Sequence, residues 1–424
     1  MGKRRKFSLG LLLFVFIGLL LFVPASWATT DQSKTLASTK PRENQEIIKV
    51  GLFPYVPRIE QFKDVITQSW SEIEPNVKLE FVDEEQWDGG YKRDPDGIDV
   101  FVFDGIFLEY FVKNNYLASL KSNEIDKDKD FLSYALEGSQ FNDIYYGIPQ
   151  LGCTNLLFYR QNDAAKEKLA NATTLTSVYE VIGNNPSSEV PPPSGEGLLI
   201  DLSGGTTCAC YYVDIAMDLT GQYTTNPDLP DPEHLSSEAI ETLRQLVSMA
   251  GPTQAQYEGD SYERETWFGK NHGRANVGFT EGMSAMGQTR QDIEFKVMPL
   301  GNEHNINLFY VDLIGLNHDL ESNPKRKSLA LKLANLMSSR EVMVKSIKAY
   351  KGEPPQYLMP VRLTVFNTLK ETDPLYDKMY QLVSSSDPKA FRLGENSREW
   401  LQKAKRKIQQ QIYEQAKLLE EGKI

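Results

Sequence analysis

Tyr146-Gly-Ile-Pro-Gln-Leu-Gly-Cys-Thr-Asn-Leu-Leu-Phe-Tyr-Arg160 is a stretch of buried-strand character with a thiol, Cys153, at its middle. The residues before it set its context. Residues 47–53 read as a short apolar strand followed by Pro54 and Pro57. Ile59, Phe62, Val65, Ile66, Trp70 and Ile73 then recur at helical spacing. Residues 77–82 alternate as a second strand, 99–103 form a third that ends at Asp104, and a helical stretch follows through Leu108 to Tyr116. Strand, helix, strand, helix at this pace predicts an α/β fold on a mostly parallel sheet. In open sheets of that kind ligands bind beyond the carboxyl ends of strands, and Tyr55 and Asp104 both fall there.

Beyond the Cys153 strand, residues 163–181 have helical spacing, and 184–197, with Pro186 and the triplet Pro191-Pro192-Pro193, read as a surface loop. Ser203-Gly-Gly-Thr-Thr207 precedes a helix beginning near Cys208; it reads as a plain turn or as amides able to hold an anion. Residues 277–280 form a short strand ending at Glu281, 295–300 and 309–316 are further strands, and 328–337 begin a helix. Leu401, Ala404, Ile408, Ile412, Ala416 and Leu419 make an amphipathic C-terminal helix, with Lys403, Lys405, Arg406 and Lys407 on its solvated face.

The first residues speak to the compartment. Lys3, Arg4, Arg5 and Lys6 precede an apolar run over residues 9–23, and Pro24-Ala-Ser-Trp-Ala28 offers small residues for cleavage. This is the pattern of a secretory signal peptide cut after Ala28, with residues 29–45 as a flexible leader; an uncleaved anchor is the alternative. Loss of four positive charges takes the net charge from −12 to −16. So acidic a product repels nucleic acid and anionic membrane, and its mean field favours cationic ligands; solubility alone is the plainer reading of the same charge. Nearly 400 residues exceed one hydrophobic core, so two lobes are expected.

Three cysteines in an exported chain leave one without a partner. Cys208 and Cys210, one residue apart, would make only a strained disulfide, and Cys153 has no evident mate. The four histidines form no metal-ligand spacing with each other or with a cysteine, so neither zinc nor Cys–His proteolysis is indicated. A carboxylate is left as the base for a reactive thiol. Each residue has a plainer reading too: Cys153 as a small buried hydrophobe, Glu281 as a helix-start charge, Asp104 as a cap for the helix after it.

The order of one lobe, a crossover, a second lobe and a return resembles the type II periplasmic binding protein frame from about residue 46 to the end. That resemblance implies a two-lobed α/β fold with an interlobe cleft, lobe 1 from 46–150 with 296–352 and lobe 2 from 151–295 with 353–424. It turns residues 147–160 into a strand passing between lobes, with Cys153 facing the cleft. Cys153 in its strand, together with Glu281 in Gly278-Phe-Thr-Glu-Gly-Met283, resembles thiaminase I. The resemblance implies a transferase that exchanges the thiazole of thiamin for an amine or thiol. Cys153 matches the nucleophile and Glu281 the glutamate that activates it. Asp104 and Asp312 match the pocket aspartates, and Tyr55, Tyr262 and Tyr310 the aromatic lining; Tyr262 reads as a loop residue. No metal or organic cofactor is implied, since thiamin is the substrate. The expected protein is a secreted or periplasmic monomer without nucleic-acid or stable membrane partners. The alternatives are a transporter's solute receptor for thiamin or a related pyrimidine, with Cys153 inert, and an enzyme of the same frame acting on another aminopyrimidine.

Overall fold

A computed structural model describes residues 46–420, with side chains to 413; the expected signal peptide and leader lie outside the described residues. Two sheets organise the chain. The larger has the order Met359–Pro360, Ile148–Cys153, Leu308–Leu316, Val100–Asp104, Glu46–Gly51, Val77–Phe81, and Lys389–Ala390 also pairs with Leu308–Leu316. The smaller has the order Ile293–Val297, Leu156–Arg160, Gly273–Gly278, Ser194–Leu199. Met359–Pro360 and Lys389–Ala390 therefore stand with the first sheet, although the expected lobe boundaries put residues 353–424 with the second.

The mostly parallel sheet is found over only half its width. Glu46–Gly51 is parallel to Val77–Phe81 and to Val100–Asp104, as strands joined by crossover helices must be. Leu308–Leu316 returns from the smaller sheet and enters antiparallel to Val100–Asp104 and Ile148–Cys153, with Lys389–Ala390 parallel to its first residues. All five residues of Val100–Asp104 are buried, the signature of a strand covered on both faces. The Pro324–Met337 helix packs against it, and the Ile59–Ile73 helix packs beside Val77–Phe81, burying Phe62, Val65, Ile66 and Trp70 on one stripe.

The single strand expected over 147–160 is two. Ile148–Cys153 ends in the first sheet, Thr154 and Asn155 make the crossing, and Leu156–Arg160 begins in the second. One continuous strand cannot pair within two sheets, so the ladder breaks where the partners change. The return crossing is tied to the outward one: Thr154 Oγ1 donates to the Leu308 carbonyl at 2.7 Å, and Met298 N donates to the Asn155 carbonyl at 2.8 Å. Both crossing residues are buried, so these bonds satisfy groups that water cannot reach.

Elsewhere the helical stretch expected over 163–181 is split into Lys166–Asn171 and Leu175–Ile182. Thr174 accepts from Ser177 N at 3.1 Å and so caps a new helix, which ends the first. The expected loop over 184–197 gives way to a strand at Ser194. The C-terminal helix Ser397–Glu420 docks on Gly205–Thr220 and Ser237–Ala250, burying Trp400, Leu401, Ala404, Ile408 and Ile412. Each fully buried Leu or Ile there contributes about 2 kcal/mol. A buried Arg392–Glu109 ion pair at 3.0 Å fixes the segment leading into it. Among the described residues no helix is long and apolar enough to cross a membrane.

Candidate active site

The first sheet assembles one half of the site by register. Cys153, the last residue of its strand, lies opposite Tyr310, and Asp312 lies opposite Asp104, the last residue of the neighbouring strand. Tyr310 and Asp312 are two residues apart on the central strand and so share a face. A register shift between Asp312 and Leu313 falls at the point where a bulge re-aims side chains. Three adjacent interior strands thus bring a thiol, a phenol and two carboxyls together at one end of the sheet's middle.

Each of these groups sits in an environment hostile to charge. Asp104 Oδ1 accepts from Ile106 N at 3.1 Å and Oδ2 accepts from the Tyr91 hydroxyl at 2.7 Å. The capping reading of Asp104 is thus correct for one oxygen, while the other faces the site. Burial lifts its pKa to about 6 against the pull of those two donors. Burial lifts Asp312 well above the carboxylate range, and the charges of Asp104 and Glu281 lift it further. Asp312 thus holds its proton most firmly, lying in the field of both other carboxyls.

The second sheet supplies the other half from its loops. Its strand Gly273–Gly278 leads into a 3₁₀ turn, Thr280–Ser284, so Glu281 lies on that turn rather than directly at a strand end. The side chain is 8% exposed, and burial followed by the nearby charge of Glu265 raises it to about 7, against the opposing pull of its own backbone N–H. Tyr262, expected in a loop, precedes the helix Glu263–Gly269 with φ of 59°, a left-handed conformation that turns the chain into the helix. Burial and then the charges of Glu281, Glu265 and Cys153 push its hydroxyl far upward.

Cys153 responds to both halves. Burial comes first, then Glu281, Asp312 and Asp104, and together they hold its pKa well above that of a free thiol. The resting group is a neutral thiol in the field of a carboxyl that titrates at about 7, and the ionised carboxyl can take the thiol's proton as the sulfur reacts.

Aromatic rings line the site. Tyr310 packs edge-on against Phe279 and Phe391 at 6.0 and 5.0 Å and shares a hydrogen bond with Cys210. Tyr55 is 48% exposed and meets Tyr91 edge-on at 5.7 Å, which puts it at the rim, linked to Asp104 through Tyr91. A cavity of about 240 Å³ opens beside Tyr262, Glu265, Phe279 and Asn155. A larger concavity of about 600 Å³, around Lys296, Lys378 and Asn305, contains none of these groups.

Cys153, Glu281, Asp104, Asp312, Tyr310 and Tyr262 are therefore brought within one electrostatic neighbourhood. Sequence reasoning missed Tyr91, Glu265 and Cys210; the adjacent Gly89-Gly90 is the only local hint of Tyr91. Cys208 and Cys210 are both free and buried, in a helix that starts at Gly205. Their one-residue spacing on a helix sends the side chains in different directions. Among the described residues no group of three His, Cys, Asp or Glu is arranged to hold a metal.

Known proteins resemble this chain along most of its length. A family model, the Thiaminase-1 domain, matches residues 154–301. Thiaminase-1 of Paenibacillus thiaminolyticus is 40% identical over 362 residues, 84% of this chain and 86% of that protein. The structure of Clostridium botulinum thiaminase I in complex with thiamin superposes with a TM-score of 0.83 at 39% identity, covering 87% of this chain and 100% of the other. Maltose-bound T. maritima MalE3, at 14% identity and a TM-score of 0.60 over 86% of this chain and 99% of its own, shares the fold alone and carries the periplasmic-binding-protein frame. With a two-sheet binding-protein body, a thiol at its crossing and full-length relatives of this closeness, the chain belongs to the thiaminase I family.

Proposed function

We propose that this enzyme cleaves thiamin with Cys153 as nucleophile and Glu281 as its base, delivering the pyrimidine to an amine or thiol. The observation that carries the reading is the placement of a half-buried neutral thiol and a buried carboxyl that titrates at about 7 in each other's field across the intersheet crossing.

Thiamin is a cation, and the site offers three carboxyls without a basic side chain among the groups that shift them. Entry of the thiazolium charge offsets the carboxylates that hold the Cys153 proton in place, so the thiol ionises more readily once substrate is bound. Glu281 takes that proton as the sulfur adds to C6′ of the aminopyrimidine. The C–N bond to the thiazolium then breaks, and its electron pair leaves with neutral thiazole. An incoming amine or thiol adds at the freed methylene, the ring expels the sulfur, and Glu281 returns the proton to it. The nucleophile's own extra proton goes to solvent. Asp312 and Asp104, able to hold a proton between them, suit the donor and acceptor groups of the aminopyrimidine edge. Tyr262 and Tyr310 suit the rings, and a cation over such a face contributes roughly 0.5–2 kcal/mol.

The test is turnover of residues 29–424 with thiamin and an aromatic amine, beside Cys153→Ser. Release of thiazole that depends on Cys153 is expected. Tight thiamin binding without thiazole, equal in both proteins, would leave a receptor instead. The same reading has the enzyme exported and monomeric. An exported product whose first residue is Thr29, running as one chain in sedimentation, is the expected outcome.

A further inference from the structure

Beneath the turn that carries Glu281 lies a second carboxyl that the reaction above does not use. Glu265 is in the first turn of Glu263–Gly269 and is buried, and its Oε1 accepts a hydrogen bond from Asn276 Nδ2 at 3.2 Å. Asn276 is itself fully buried in the strand that leads to Glu281, and its Oδ1 has no partner. Two glycines near Glu281 make room for this side chain. A Cβ at Gly278 would stand 2.5 Å from Glu265 Oε1, and one at Gly282 would stand 2.5 Å from Glu265 Cγ. Neither glycine has a positive φ, so what they supply is space rather than backbone freedom.

A carboxyl wedged under a loop costs desolvation, and surface acids are rarely placed this way without a partner. We propose that Glu265 is a positioning residue for the base: seated under Gly278 and Gly282 and held by Asn276, it fixes the Thr280–Ser284 turn and lends its charge to Glu281, governing when the base holds a proton. The inference rests on the assignment of Glu281 as the base. Glu265 makes no bond to substrate and exchanges no proton in the reaction; it acts only through Glu281.

The other charged and titratable groups around the pair are accounted for. Arg264, next to Glu265 on the same helix, stabilises its charge, and Asp201 opposes it. Those two are paired with each other at 3.6 Å, which mutes both. Tyr211, from the helix Gly205–Thr220, and Tyr262 both lie in the field of Glu265, and each is held neutral by burial. On the first-sheet side Cys153 and Asp312 lie in the field of Glu281. Burial raises the pKa of Glu265 above the ordinary carboxylate value, and its own backbone amide, the Asn276 donor and Arg264 pull the other way; once ionised, its charge raises the proton affinity of Glu281.

The experiment is the pH profile of kcat/KM for thiamin in the full enzyme, with Glu265→Gln, Glu265→Asp and Glu281→Gln. Glu265→Gln keeps the shape and the bond from Asn276 but removes the charge. Its acid limb is expected to move to lower pH by ~0.5 unit, with kcat several-fold lower and KM for thiamin little changed. Glu265→Asp keeps the charge and is expected to hold the limb near its wild-type position. A folded Glu265→Gln enzyme with a wild-type limb overturns the proposal, including the case where its rate has fallen, since a purely structural role lowers the rate without moving the limb. Should that variant not fold, Asn276→Ala withdraws the donor and is expected to shift the limb the same way; an unmoved limb there overturns the proposal equally. Glu281→Gln separates the two levels: if it leaves the limb intact, the base assignment fails first and for its own reason.

Discussion

The two halves of the site are held by different kinds of structure. Cys153, Asp104, Tyr310 and Asp312 are fixed by strand register, with Cys153 opposite Tyr310 and Asp312 opposite Asp104 in one ladder. Glu281 and Tyr262 sit instead on a 3₁₀ turn and a left-handed helix start, with Glu265 packed under the turn. A ladder position cannot drift without flipping every side chain on the strand, whereas a turn depends on what lies beneath it. The proposed nucleophile and the carboxyls beside it are thereby built rigidly, and the proposed base is the adjustable partner. What joins the halves is short: Thr154 and Asn155, bonded to Leu308 and Met298 of the return chain.

Removing the ladder's nucleophile should have the largest effect. Cys153→Ser is expected to lower kcat more than ~10⁴-fold, as for other covalent catalysts that lose their nucleophile. Thiamin affinity measured by calorimetry should stay near wild type. A matching loss of affinity would mean that the first-sheet half depends on the thiol for its shape, and the contrast between the halves would weaken. Glu281→Gln comes next, with kcat expected to fall ~10²–10⁴-fold. Wild-type kcat should decline below about pH 7 as Glu281 takes up a proton and can no longer accept one. Asp312→Asn, in the rigid half but outside the proton path, should cost ~10–100-fold, expressed mostly in KM, in line with the loss of one charge-assisted hydrogen bond. A kcat-only effect would move Asp312 from binding to chemistry.

Burial of the adjustable base also has a signature in stability. Glu281 titrates near 7 in the fold against an ordinary 4.5, so the folded state binds the extra proton between those values. Stability owed to this group is fully present below about pH 4.5 and is lost as the pH rises through about 7. At pH 8 the ionised carboxylate therefore costs up to about 3 kcal/mol. Glu281→Gln should melt higher than wild type at pH 8, and the two should converge at pH 4.5. Parallel melting curves at both pH values would show that the turn relaxes to hydrate the carboxylate, a stronger form of adjustability than the geometry suggests.

The same division explains what was legible in the sequence. Ladder residues sit in apolar runs with strong periodicity, and Asp104, Tyr310 and Asp312 interrupt such runs, which marks them. The crossing was not legible, because Gly147 to Arg160 is apolar on both sides of Thr154 and only the change of partner sheet divides it. Glu265 was hidden for a different reason. In Glu263-Arg-Glu265 it looks like a surface acid in a helix's first turn, and its burial comes from Gly278 and Gly282, whose missing side chains carry no pattern of their own. Tyr91 was hidden likewise, since its bond to Asp104 spans a segment without regular structure. Periodicity reports on regular elements, and the turn-borne half of the site is made of contacts that periodicity does not encode.

The smallest expected effect separates two cysteines that sequence alone treats alike. Cys208 is fully buried on the Gly205–Thr220 helix, and burial followed by the charge of Asp201 pushes its thiol up to about 12. It touches neither half of the site, so Cys208→Ala should leave kcat and KM unchanged and lower stability by about 1 kcal/mol, the cost of a small void in a core. Cys153 also has a raised pKa, but its field includes Glu281, Asp312 and Asp104, which change when a cation enters. Bound thiazolium should therefore speed alkylation of Cys153 by a reagent small enough to share the cleft, and should leave Cys208 inert. Equal rates at the two thiols, with or without the cation, would mean that burial alone governs Cys153 and that the carboxyls around it are spectators to its ionisation.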